Sequence, residues 1–151
     1  MNWGGDCLSF NRNILGENSK EDVLELIKSE DFRDIFLENN ITNVIVFGSL
    51  LTKDFNEESD IDIAIISENK ISSSLDLSLT LELEDFLGRS IDLIDINDEE
   101  ISNVIKIEAF NSNMVIIKDE KYDEQYDFYD RLFKENIEFW DRLDKVVLDN
   151  E

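Results

Sequence analysis

Val44-Ile45-Val46-Phe47-Gly48-Ser49, ten further residues, and then Asp60-Ile61-Asp62-Ile63-Ala64-Ile65-Ile66 decide how this chain is read. The first run is apolar, β-branched or aromatic throughout and stops at Gly-Ser, so it reads as a short buried strand ended by a turn. The second run begins with period 2. On a strand, Asp60, Asp62 and Ala64 share one face, and Ile61, Ile63 and Ile65 share the other. Aspartate is so frequent here that an Asp-x-Asp pair alone means little. Its setting means more, because Gly48-Ser49 is the only Gly-Ser step in the chain and ends a strand just ahead of the paired carboxylates. A glycine at that point lets the backbone turn and approach a ligand closely. Amides in such a turn can face phosphate oxygens, and the Ser49 hydroxyl adds a donor. Two carboxylates on one face repel and lose hydration unless a positive charge joins them. Held around Mg²⁺ they become hard oxygen ligands for a cation that also takes substrate phosphates. Two such ions can clamp the attacking and leaving oxygens of an in-line phosphoryl displacement.

Composition narrows the chemistry further. The chain has 151 residues, one domain's worth, and 42% of them are apolar, enough for a core. Lys and Arg total 14 against 37 Asp and Glu, a net charge of −23. Such a chain repels phosphate backbones, so direct binding of nucleic acid is not expected, and a basic partner protein or divalent cations fit better. There is no histidine, which removes Ser-His-Asp and Cys-His catalysis and every His-ligated metal site. The single cysteine, Cys7, forms no internal disulfide and no thiolate cluster, which suits the cytoplasm. No apolar run reaches about 18 residues, so no membrane contact is expected, and Met1–Phe10 does not read as a signal peptide. Carboxylate chemistry, with or without a metal, remains.

Outward from the central motif, residues 1–17 read as an N-terminal arm. Ser19-Lys20-Glu21-Asp22 is an N-cap box opening a helix that the spacing of Val23, Leu26, Ile27 and Phe36 carries to about Asn39. A loop or short helix covers Thr52–Ser59. Leu75–Leu87 predicts a helix ended by Gly88. Ser90–Ile96 predicts a third strand, Glu99–Asn111 a helix and Met114–Ile117 a fourth strand. The tail predicts an amphipathic helix with Phe128, Leu132, Phe139, Leu143 and Val146 on one side, widened by Phe133, Trp140 and Val147. Packing on the sheet is one reading of that stripe, and a partner or dimer surface is the other.

Val44–Ile66 as a whole resembles the signature of the DNA polymerase beta-like nucleotidyltransferase superfamily. The chain's size, the strand Ser90-Ile91-Asp92-Leu93-Ile94-Asp95 and the ending Asn113-Met114-Val115-Ile116-Ile117 resemble its minimal members, the MNT-type (MntA-like) antitoxins that pair with HEPN-domain (HepT-like) toxins. The resemblance covers Ile41 to Lys118 well and the tail loosely. It implies an α/β (α+β) fold: a small mixed β-sheet flanked by helices, a nucleotidyltransferase core over residues 18–118, and a C-terminal helix over 119–151 that packs on the core or a partner. It also implies roles. Gly48 and Ser49 would hold nucleotide phosphates, with Lys53 and Ser59 beside them, while Asp60 and Asp62 would bind the metal ions. Asp92, in the apolar-Asp-Leu-apolar pattern of the third family carboxylate, would complete the metal site and help deprotonate the attacking hydroxyl. Asp95 falls on the opposite strand face. The chain departs from the family where a small residue, Arg and Gly are usual, for it has Leu51, Thr52 and Lys53.

The expected function is that of an antitoxin nucleotidyltransferase. It would use ATP and two Mg²⁺ ions to transfer AMP to a tyrosine of a cognate HEPN ribonuclease toxin, with room for an oligomer formed with that toxin. Its acidic surface would complement a basic RNA-binding toxin. A non-catalytic antitoxin that neutralises by binding alone is the second expectation, and a small-molecule (antibiotic) nucleotidyltransferase the third.

Overall fold

The computed structural model describes residues 18–136. The arm expected over residues 1–17 lies outside the described residues, as do Phe139, Trp140, Leu143, Val146 and Val147 of the expected tail stripe.

The Ser19 side chain accepts the Asp22 amide and the Asp22 carboxylate accepts the Ser19 amide, so the expected capping box opens helix α1, Lys20–Ile27. One helix to about Asn39 was expected, but there are two, and α2 spans Glu30–Leu37. Ser29 divides them: its hydroxyl donates to the Leu26 carbonyl at 2.6 Å and accepts the Phe32 amide at 3.3 Å. The same side chain thus closes one helix and caps the next. Strand β1 (Val44–Phe47), a 3₁₀ turn (Gly48–Leu51) and strand β2 (Ile61–Ile65) follow. Helix α3 (Ser73–Leu87), strand β3 (Ile91–Asp95), helix α4 (Asn103–Phe110), strand β4 (Met114–Ile117) and helix α5 (Glu120–Glu135) complete the described chain. Helix α4 starts later than expected because the Ser102 hydroxyl, not an earlier residue, caps it through the Val104 amide.

The four strands form one mixed sheet in the order β3-β2-β1-β4. β1 is antiparallel to both its neighbours, and β2 is parallel to β3, with α3 as the crossover a parallel pair requires. Period-2 alternation divides the sheet's side chains between two cores. Val44, Val46, Ile61, Ile63, Ile65 and Ile91 face α1, α2 and α3, meeting Val23, Phe32, Phe36, Leu79, Leu83 and Leu87. Ile45, Phe47, Ala64, Ile66, Ile94 and Ile96 face α4 and α5. Asp62 of β2 shares this second face.

Helix α3 carries leucine at every second position from Leu75 to Leu83, a strand-like pattern wound into a helix. Helical period sends Leu79, Leu83 and Leu87 inward and leaves Leu77 and Leu81 more than half exposed. On α5 the inward side includes tyrosines that the expected stripe left out. Tyr122 and Tyr129 are buried, and the Tyr129 ring stacks on Phe110 with centroids 5.4 Å apart. Leu132 and Phe133 pack partly against this cluster, as expected. Phe128 is 50% exposed and touches Tyr129 edge-on. Seating Tyr122 and Tyr129 two turns apart on Phe110 rotates their immediate neighbour Phe128 about 100° away.

A polar tie locks the far end of β1 to the start of α5. Buried Asn43 donates to the Ile66 carbonyl at 3.0 Å and accepts the Asp119 amide at 2.8 Å. The Thr42 hydroxyl donates to the Asp119 carboxylate at 2.6 Å, and that carboxylate caps α5 through the Lys121 amide. The Thr42 bond, with those from Lys121 and Asn43, outweighs burial and holds the Asp119 carboxyl below the usual carboxylate range. A depressed carboxylate stabilises the fold above its unfolded-state pKa and loses that stabilisation as pH falls through its folded value. Asp119→Ala is therefore expected to lower stability by about 1–2 kcal/mol at neutral pH. In urea titrations the gap to wild type should narrow steadily as pH is lowered into the acid range.

Candidate active site

Pairing across three strands assembles the site. Phe47 is the antiparallel partner of Asp62, and Asp62 is the parallel partner of Asp92. The end of β1, the start of β2 and the start of β3 therefore lie side by side. Asp62 and Asp92, as register partners, point from the same face. Asp60, two residues before Asp62, joins them by alternation, immediately ahead of β2.

Gly48 follows Phe47 with φ +87°, the left-handed region that side chains rarely adopt. A Cβ here would overlap the Asp62 carboxylate group and come within 3.3 Å of the Asp62 Cβ. Glycine is thus required twice, for the turn and for the close approach of backbone to carboxylate. Leu50 anchors the 3₁₀ turn in the first core, and the Thr52 amide and hydroxyl both donate to the Ser49 carbonyl at 2.9 Å. Ser49 stays partly exposed beside Gly48.

Lys53 and Ser59 occupy the loop between the turn and Asp60 rather than the carboxylate row. Lys53 is exposed. The Ser59 hydroxyl accepts the Asn56 amide at 3.0 Å, within a tight turn. Asp95 is buried on the opposite face, accepting the Ile71 amide at 2.9 Å and the Asn97 amide at 3.0 Å, and is a structural strand-end carboxylate.

The row is electrostatically strained. Burial, with the charges of Asp92, Glu108 and Asp60, pushes the Asp62 carboxyl up to about 7. Burial, and then Asp60, raises Asp92 as well. Both carboxyls therefore favour keeping a proton. Glu108, from α4, is a fourth acidic group at the site that sequence reasoning missed, since nothing distinguishes it among the helix's polar positions. Arg89, whose charge faces Asp60 and Glu57, was also missed.

A cation would relieve this repulsion. Among the described residues, no three carboxylate or thiol groups close into a ready-made cage. The donor set nevertheless suits Mg²⁺, which takes one or two carboxylates, keeps several waters and fills its remaining positions from substrate phosphates. Asp62 and Asp92, with Asp60 at the rim, offer that minimal set.

The family profile described as "Polymerase beta, Nucleotidyltransferase" matches residues 30–122. No curated protein matches the chain in sequence. Solved structures resemble it in fold, three of them as follows. One is a tri-AMPylated Shewanella oneidensis HEPN toxin in complex with MNT antitoxin, 20% identical with TM-score 0.54, covering 79% of this chain and 97% of that chain. A second is the toxin-antitoxin MntA-HepT, 19% identical with TM-score 0.54 over 79% and 97%. A third is a toxin-antitoxin with AMP-PNP, 20% identical with TM-score 0.54 over 83% and 98%. Among the described residues, no helix is long and apolar enough to cross a membrane.

The raised Asp62 carboxyl has a measurable consequence. A carboxyl raised in the folded state binds its proton more tightly there than when unfolded, so metal-free stability falls as pH rises from about 4 to about 7. Asp62→Asn should flatten that slope, leaving the smaller part due to Asp92, and make the metal-free protein about 1 kcal/mol more stable than wild type at pH 8, a figure discounted for solvent screening. Mg²⁺ at pH 8 should raise the melting temperature of wild type and leave Asp62→Asn unmoved.

Proposed function

The chain belongs to the polymerase beta nucleotidyltransferase family, and on that footing we propose that it transfers AMP from ATP to a tyrosine of a HEPN-domain ribonuclease toxin, acting as its antitoxin. The observation that carries this reading is the side-by-side row of Gly48, Asp62 and Asp92 fixed by strand register. The fold likeness to an MNT antitoxin in complex with a HEPN toxin, and to a toxin-antitoxin with AMP-PNP, supports the partner and the nucleotide. The charge of −23 supports a basic, RNA-binding partner.

In this reading Asp60, Asp62 and Asp92 would hold two magnesium ions, which would supply neutralisation of the phosphate charge. The tyrosine oxygen attacks the α-phosphorus of ATP, the bond to the bridging oxygen breaks, and pyrophosphate leaves. Asp92, the exposed member of the pair with raised proton affinity, takes the phenolic proton. Gly48 lets the backbone come close to the phosphates, and Ser49 donates its hydroxyl to them. Lys53, where the family usually carries Arg, reaches the same phosphates from the loop, and Ser59 shapes that loop as it enters Asp60.

The test is to incubate the protein with ATP, Mg²⁺ and the neighbouring gene's product as the candidate toxin, then to weigh both products intact. The toxin should gain one or more AMP units, and Asp60→Ala/Asp62→Ala should abolish the gain. A stable complex with no mass gain, and equal neutralisation by the double variant, would instead establish an antitoxin that acts by binding alone. Gly48→Ala should reduce transfer at least a hundredfold, since its methyl would displace the Asp62 carboxylate.

A further inference from the structure

Arg89 is a charged residue only 2% exposed, at the entrance to β3. Its guanidinium donates to three backbone carbonyls: Asn18 at 3.0 Å, Asn56 at 2.6 Å and Ser59 at 2.8 Å. Its Cζ lies over the Phe55 ring, 4.3 Å from the centroid. Two of the three carbonyls, and the stacked ring, belong to the loop that joins the Gly48-Ser49 turn to Asp60. Burying a guanidinium for the sake of carbonyls is expensive, and an apolar side chain would fill the space at lower cost. The arrangement therefore asks for a reason beyond stability.

Its position supplies one. The Ser59 carbonyl shares its peptide plane with the Asp60 amide, so fixing that oxygen fixes the backbone entering Asp60. On the other side of Asp60, the Ile61 amide donates to the carbonyl of Ser90, the residue next to Arg89, at 2.9 Å. Asp60 is exposed and precedes the strand, so it lacks the ladder bonds that hold Asp62 and Asp92. The guanidinium charge also faces Asp60 and Glu57.

We propose that Arg89 is a positioning residue: by clamping the Asn56 and Ser59 carbonyls against Phe55, it holds Asp60 where it can share a divalent cation with Asp62 and Asp92. This rests on the reading of those aspartates as metal ligands. Outer groups that orient a ligand are commonly worth about 10–100-fold in metal affinity.

The experiment measures Mn²⁺ binding to the full chain by calorimetry, without nucleotide, alongside a melting curve for each variant. Arg89→Met should weaken Mn²⁺ about tenfold and Arg89→Lys less, since an ammonium keeps the charge but loses the fork. Arg89→Met combined with Asp60→Asn should bind no more weakly than Asp60→Asn alone, because Arg89 acts through Asp60. Should Arg89→Met fail to fold, Phe55→Leu, which removes the stacking surface and keeps the buried charge paired, is expected to weaken Mn²⁺ in the same non-additive way. Folded Arg89 and Phe55 variants with wild-type affinity, or losses that add to that of Asp60→Asn, would overturn the proposal while leaving the metal site standing. Equal Mn²⁺ binding by wild type and Asp60→Asn would overturn the ligand reading and the proposal with it.

Discussion

The parallel pairing of β2 with β3 is the constraint from which the rest follows. It sets Asp62 beside Asp92 on one face and, by the same register, sets Ile61 beside Ile91 and Ile63 beside Leu93 on the other. A slip of one residue would turn the isoleucines to the second face and the aspartates into the first core. The apolar row therefore enforces the acidic one. Burial of Ile61, Ile63 and Ile65 against three helices is what holds two carboxylates together against their mutual repulsion.

The same arrangement explains why the two sheet faces are covered unevenly. Helices α1 to α3 close the first face. On the second, α4 and α5 cover Ala64, Ile66, Ile94 and Ile96 but stop short of the strand ends that carry the aspartates. Asp60 and Asp92 remain exposed, and Asp62 only half so. The aromatic cluster of Phe110, Tyr122 and Tyr129 fills the closed part of that face, and Glu108 on α4 borders the open part. The site is the uncovered margin of a layer, and its depth is set by where α4 lies.

Much of this was legible because period 2 is a strict rule on a strand. Asp60, Asp62 and Ala64 on one face, Asp92 with Ile94 on another strand, and a glycine turn ten residues ahead are all matters of spacing in the printed sequence. The mixed sheet and its strands followed from the same pattern and from the family resemblance. What escaped was set by contacts distant in sequence or by a choice among near-equal local signals. Ser29 looks like any helix serine until its hydroxyl is seen bonding in both directions. Phe128 of the expected stripe turns outward because three tyrosines dock on Phe110, which periodicity alone does not reveal. Glu108 and Arg89 reach the site from outside the motif, and Arg89 does so through backbone oxygens that no side-chain pattern records.

Helix α3 carries a consequence for the chain before it folds. From Leu75 to Leu83 leucines alternate with polar residues, so in isolation the segment matches an amphipathic strand as well as a helix. The fold resolves that ambiguity in favour of the helix by burying Leu79, Leu83 and Leu87, at the cost of leaving Leu77 and Leu81 in water. On a nascent or unfolded chain, all five alternating leucines would instead line one edge-pairing ribbon, a template for association between copies. The net charge of −23 opposes such association by repulsion between copies.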